Sequence, residues 1–354
     1  MKQRELFRME GLPTLQNKTF ADAASALASP KGDMVLVQNM ETGLVHNAAF
    51  DAGLLDYDAD YQNEQAYSEV FKKHLDDVQT IIKRNFLSRN LIEVGCGKGY
   101  FLEYLQKLGY QITGIDPAYE GNNPSILKAR FDASLGLSAD GIVLRHVLEH
   151  IPQPLDFLSA IAKANGGKGM IYIEVPCLDW ICSHRAWFDI FYEHVNYFRL
   201  KDFHRLFGTV HESGHVFGGQ YLYVVADLAT LRTPHLDLQD NFDFPADFLD
   251  GVTRKMALAK DRPGAIWGGS SKGVIFALYM QRAGFRVDKV IDINPAKQGK
   301  FLASSGVKVF GPLEGMQSMV PGDNVFVMNS NYLQEIIAMT NNQFNYIQVD
   351  QHEF

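Results

Sequence analysis

Cysteine is scarce in this chain: three among 354 residues, Cys96, Cys177 and Cys182, with none before Cys96. That is too few for a disulfide framework and predicts a reducing, cytoplasmic compartment. Also missing is any apolar run approaching the roughly 18 residues a membrane helix needs. The opening "MKQRELFRMEGLPTLQ" has no apolar core, so no secretory signal is expected. Basic charge is in deficit: 33 Lys and Arg against 41 Asp and Glu leave a formal charge of −8. A chain of that balance has no general affinity for nucleic acid polymers. What is present is 46% hydrophobic and 21% charged residues, enough apolar material for two or three cores at this length.

The first seventy residues read as short strands, "MVLVQNMETGLVHNAA", then an acidic and aromatic turn, "DAGLLDYDADYQNEQAY". A helix is predicted through "SEVFKKHLDDVQTIIKRNF" from its apolar spacing. From Leu91 strands ("LIEVG", "QITGID", "GIVLRHVL", "GMIYIEVP") alternate with helices ("GYFLEYLQKLG", "PLDFLSAIAKANGG"). That alternation predicts an α/β fold with a mainly parallel, doubly wound sheet, to which "GGQYLYVVADL" adds a late strand. The proline-punctuated "LRTPHLDLQDNFDFPADFLDG" reads as a linker. A second strand, glycine turn and helix follow in "GAIWGGSSKGVIFALYMQRAGF". The predicted division is therefore 1–70, a small N-terminal domain; 71–230, a core; 231–257, a linker; and 258–354, a C-terminal α/β domain.

The most informative stretch is "LIEVGCGKGYFLEYLQKLGYQITGIDPAY". Gly95, Gly97 and Gly99 are spaced GxGxG after the acid Glu93, with Cys96 inside the loop. The dinucleotide fingerprint is GxGxxG, with pyrophosphate on the helix N-terminus. The tighter loop suits a ligand without pyrophosphate, such as an adenosyl amino acid. Asp116, followed by Pro117, stands where a carboxylate at the next strand end reaches a ribose diol. Asp132 is a candidate for the adenine amino group, and "GIVLRHVLEHI" carries Arg145 and His146 to the same edge. These features, in this order, resemble class I S-adenosylmethionine-dependent methyltransferases. A nicotinamide-dependent oxidoreductase is the competing reading.

Further motifs narrow the resemblance. "FYEHVNYF" and, downstream, "IWGGSSKGVIFALYMQRAGFRVDKVIDINPAKQGKFL" are similar to the three-domain C-methyltransferases of deoxysugar biosynthesis. The resemblance implies a small N-terminal domain, a Rossmann-like methyltransferase core and a C-terminal Rossmann-like domain. It implies S-adenosylmethionine as methyl donor, S-adenosylhomocysteine as product and a nucleotide-linked keto-sugar as small-molecule acceptor. The family's N-terminal zinc cysteines are missing: His46 is the only cysteine or histidine before His74, so no metal is expected. The family's motif tyrosine is replaced by Phe191.

Methylation of carbon requires a proton to leave a position beside a carbonyl, work suited to a base near neutrality. His194 is the predicted base, with Glu193 and Tyr192 beside it and Asn196 and Tyr197 toward the acceptor. His150 reads as structural. Tyr61 either packs on the sulfonium, a cation–π contact, or helps dock a helix. In "GGSSKG", Ser270 and Lys272 either hold a diphosphate or belong to a turn that only buttresses the cleft. O- or N-methylation, and a non-catalytic role binding the methyl donor, are the alternatives.

Overall fold

The computed structural model describes residues 2–55, 67–237, 239–240, 242–259, 262 and 264–351. At its centre is a seven-stranded sheet. Across it the strands run Ile126–Leu127, Gln111–Ile115, Asn90–Val94, Gly141–Arg145, Met170–Pro176, Tyr221–Asp227 and Val210–Val216. The pairings among the first five are parallel, and Tyr221–Asp227 runs against both its neighbours. The inner strands are buried almost end to end, Ile142, Val143 and Leu144 completely, because helices cover both faces.

The helices follow from their sequences. Glu69–Asn85 buries Phe71, His74, Leu75, Val78, Ile81 and Ile82, one stripe at helical spacing. Ser68 caps it by accepting from the Phe71 amide. Pro154 opens Pro154–Ala164 at a position where a missing amide costs nothing. No described helix is long and apolar enough to cross a membrane.

A five-stranded, wholly parallel sheet follows, ordered Val309–Phe310, Val287–Ile291, Gly264–Trp267, Asn324–Val327, Asn345–Gln348. Both sheets reverse strand order beside their first strand, at Asn90–Val94 and at Gly264–Trp267. Crevices for ligands open at the carboxyl ends of strands at such points.

The N-terminal segment forms an antiparallel sheet of Gln3–Pro13, Lys31–Asn39 and Val45–Asn47. Its fourth strand, Asn196–Tyr197, comes from the segment predicted as core. Thr19–Phe20 pairs with Phe301–Leu302 beside the C-terminal sheet. In the stretch predicted as a linker, the described residues from Arg232 to Asp250 form only turns and irregular chain, and its last residues belong to the helix Gly251–Ala259.

Candidate functional site

Both crevices open into one cavity of about 410 Å³, within the usual range for a small-molecule site. The first glycine loop forms one wall. Gly95, Gly97 and Gly99 all have left-handed φ, at 74°, 54° and 84°. A Cβ at Gly95 would sit 2.3 Å from Val147 Cγ2, and one at Gly99 2.4 Å from Ile126 Cδ1. At Gly97 it would meet nothing within 4 Å, so that backbone faces open space. The Gly97 amide donates to Asp116 Oδ2 at 2.8 Å, and the Ala118 amide donates to Oδ1 at 2.8 Å. The carboxylate at the second strand end is thereby oriented at the loop. A cradle of open backbone closed by an aimed carboxylate fits an adenosyl donor.

The C-terminal sheet repeats the device. Gly269 donates its amide to Asp292 Oδ2 at 2.7 Å, and Asn294 donates to Oδ1 at 2.8 Å. The paired residues are 23 apart in sequence, against 19 for Gly97 and Asp116. Gly273 lets the helix Ser271–Arg282 pack on the turn, since a Cβ there would strike Gly268 O at 1.9 Å.

The floor carries a buried charge network that sequence reasoning missed. Glu174, fully buried, accepts on Oε1 from Arg145 (3.2 Å), His74 (3.0 Å) and His146 (3.0 Å), and on Oε2 from Tyr172 (2.6 Å). Burial works against its charge, but Arg145 and His74 outweigh that and hold the carboxyl well below its ordinary range. His146 leaves the strand with φ 52°, which turns its ring back to Glu174. Burial disfavours its imidazolium, yet Glu149 (3.4 Å) and Glu174 raise it to about 9. The signal in sequence was an acid inside "IYIEVP", an otherwise apolar strand. Glu93 is 3% exposed, and burial pushes its carboxyl up to about 8.

His194 also lines the cavity, buried, with no partner for Nδ1 among the described residues. Its ring packs edge-on to Phe191 at 4.5 Å and to His150 at 4.9 Å. Burial, then His150, His146 and Lys272, hold it well below the ordinary histidine range. His150 donates from Nδ1 to the Glu193 carbonyl at 3.0 Å. Glu193 itself accepts from the Gln16 amide at 2.7 Å, which ties the N-terminal segment to this wall.

Of the predicted residues, Glu93, Gly95, Cys96, Gly97, Arg145, His146, Glu193, His194, Ser270 and Lys272 line this one cavity. Others depart from expectation. Tyr192 is turned away: its hydroxyl accepts from the Asp51 amide at 2.7 Å, and its ring lies so close to Gly32 that a Cβ there would stand 2.2 Å away. Adjacent residues point apart, and Tyr192 follows the N-terminal sheet while Phe191 faces the cavity. Asn196 spends its amide on the carbonyls of Leu148 and Ile151, and Tyr197 closes a loop on the Phe191 backbone. Gly99 shapes the loop from behind, and Pro117 is exposed beyond it. Asp132 is an exposed cap on the Ser134 amide, away from the cavity walls. Lys272 is already held by Asp189 (2.9 Å), Gln220 (2.7 Å) and the Trp180 ring (5.2 Å), and Ser270 accepts from Lys297 at 2.6 Å. Tyr61 falls outside the described residues.

Comparison with known proteins agrees with the first crevice. A methyltransferase-domain family matches residues 63–210. The chain is 24% identical over 290 residues to "C-methyltransferase NovU" of Streptomyces niveus, spanning 70% of this chain and 68% of that one. The protein is an S-adenosylmethionine-dependent methyltransferase. The enzyme is also 28% identical over 108 residues to the "Ubiquinone biosynthesis O-methyltransferase" of Colwellia psychrerythraea, covering 26% of this chain and 44% of that one. Among solved structures, the plantazolicin methyltransferase BpumL with SAH is similar at 17% identity and a TM-score of 0.36, over 46% of this methyltransferase and 86% of BpumL. The PH0226 protein of Pyrococcus horikoshii is similar at 13% identity and a TM-score of 0.36, over 49% and 99%.

Proposed function

We propose that this methyltransferase methylates a carbon beside a carbonyl in a small, nucleotide-linked keto-sugar or related metabolite, with His194 as general base. The observation that carries the reading is the buried, unpartnered Nδ1 of His194 in the cavity that also holds the open Gly97 backbone. The donor supplies an electrophilic methyl on a sulfonium. Gly95 and Gly97 would hold its backbone-facing side, with Gly99 shaping the loop behind them, and Asp116 would hold its ribose hydroxyls.

His194 then accepts the proton from the substrate carbon. Its imidazolium is poorly tolerated by the buried wall, and Glu149 compensates: its carboxylate and the ring nitrogens of His150 and His194 lie within 4.8 Å of one another. Assistance of this kind is worth about 10²–10⁴-fold in rate. Asp292 at the second glycine turn supports a nucleotide-linked acceptor, because it is oriented as Asp116 is and would take a second ribose. Lys272, fully engaged with Asp189 and Gln220, acts here as a brace for that wall. The name of the Streptomyces relative supports carbon as the acceptor atom, and that of the Colwellia relative favours oxygen as a second reading.

The test is methyl-labelled donor with a panel of nucleotide keto-sugars, the label located by NMR, in wild type and His194→Ala. Turnover is expected to vanish in the variant while donor binding survives. Near-normal turnover in the variant removes the base assignment, and a label on oxygen removes C-methylation.

A further inference from the structure

We propose that Glu149, His150 and His194 form a chelating site for a divalent transition cation of the zinc or cobalt kind, and that its occupancy switches the enzyme off. Residue spacing does not hint at it, because no metal-ligand spacing joins "LEHI" to "YEHV". In the fold one ligand atom from each residue lies within 4.8 Å of the other two, the sole such grouping of three or more among the described residues.

Three observations point to a cation. Glu149 is 1% exposed and faces the cavity, and neither of its carboxylate oxygens has a hydrogen-bond partner. A buried carboxylate left so is costly unless a cation completes it. Among the described residues its one ionic neighbour is His146, 3.4 Å from Oε1, which leaves Oε2 open. His194 Nδ1 is likewise buried without a partner. His150 donates from Nδ1 to the Glu193 carbonyl at 3.0 Å. That bond fixes the tautomer in which Nε2 carries the lone pair, as second-shell carbonyls do for metal-bound histidines.

Two imidazoles and one carboxylate are a donor set suited to zinc and its neighbours, with a fourth position left to the cavity. Ligand bonds of about 2.0–2.2 Å require the three side chains to draw together by about 1 Å. The ammonium of Lys272, which lines the same cavity, opposes a further cation, so a reversible, inhibitory site is expected rather than a permanent one. The inhibition rests on the proposed role of His194, since a nitrogen that ligates a metal cannot take a proton. Binding of the metal does not rest on it.

The experiment titrates the chelator-treated full-length enzyme with Co²⁺, read by visible absorption, and with Zn²⁺, read by calorimetry. Wild type, Glu149→Gln and His150→Ala are compared, with S-adenosylhomocysteine affinity measured in each as a check on folding. One cation per chain is expected, weakened at least about tenfold in both variants while cofactor affinity persists. Zn²⁺ should suppress methyl transfer by wild type, with full recovery on chelation. No cobalt spectrum in wild type, or undiminished wild-type affinity in both variants, overturns the site. Binding at these residues accompanied by faster turnover overturns the inhibitory role and the base assignment together, whereas inactivity of His194→Ala without metal binding leaves the base assignment standing alone.

Discussion

Replacing Glu93 by glutamine should stabilise the ligand-free enzyme, and more so the higher the pH. Glu93 lies in the strand Asn90–Val94 with Oε2 lacking a partner. Burial raises its carboxyl from 4.5 to about 8; Arg145 opposes this and Asp116 adds to it. Below pH 4.5 the group is protonated in folded and unfolded chains alike and contributes nothing. Between pH 4.5 and 8 the unfolded chain has released the proton and the folded one keeps it, so stability falls as pH rises. At about 1.4 kcal/mol per pH unit the whole interval is worth about 5 kcal/mol, fully expressed above pH 8. Glutamine has nearly the same shape and does not ionise. Urea denaturation of both proteins at pH 5.5 and 8.5 should show the variant gaining about 3 kcal/mol on wild type across that span. Other titrating groups are common to the two proteins and cancel in the difference. A difference that stays constant with pH would mean that Glu93 is ionised in the fold, and that the loop acid meets the donor as an anion.

Four other perturbations separate structure from chemistry. Tyr192→Phe removes the bond from the Asp51 amide and should cost about 1 kcal/mol of stability with turnover preserved; a tenfold fall in kcat at unchanged stability would return the phenol to the reaction. Gly95→Ala drives a methyl into Val147 and should cost about 1–3 kcal/mol beyond backbone strain. Gly97→Ala meets no atom and pays only about 1–2 kcal/mol for its left-handed backbone, yet should weaken S-adenosylhomocysteine binding by calorimetry; unchanged affinity would place the ligand elsewhere. Glu174→Gln strips the carboxylate from Arg145, His146 and His74, and should cost about 3–5 kcal/mol. In the same variant the His146 titration, followed by NMR, should fall from about 9, and an unmoved titration would mean that Glu149 alone sustains it.

The strands and helices around the first glycine loop were legible because buried parallel strands read as unbroken apolar runs between glycine turns. "LIEVG" and "GIVLR" are such runs, and they became Asn90–Val94 and Gly141–Arg145. Val210–Val216 was not legible. It is an edge strand, "VHESGHV", paired on one side only, and half its residues are polar. Gln3–Pro13 was hidden for a similar reason, since its charged residues face water and two irregularities break the alternation. At the site, sequence order located residues that shape the cavity through the backbone or stand at strand ends. It could not reveal which way consecutive side chains in "FYEHVNYF" point, and so grouped Tyr192, Asn196 and Tyr197 with His194 although each is spent on main-chain atoms.

The N-terminal segment explains why those side chains are committed to structure. Gln16 grips Glu193, and Asn17 donates to Ser271 at the start of the C-terminal helix at 2.9 Å. Arg282, at the far end of that helix, donates to the carbonyls of Glu10 and Gly11. Thr19–Phe20 is paired to the strand Phe301–Leu302, and Tyr192 anchors the wall of His194 to the same N-terminal layer. One layer therefore joins the wall of His194 to the turn that opens the C-terminal helix, which a linker without regular structure could not do. Lacking both disulfide and zinc cysteines, this layer depends on packing and main-chain bonds, and under the proposed function it sets where His194 stands relative to the donor loop. A cut of the chain between residues 20 and 31 should thus lower kcat more than it lowers affinity for S-adenosylhomocysteine, because the donor loop belongs to the central sheet alone. Equal losses in both would show that the central sheet itself depends on the layer.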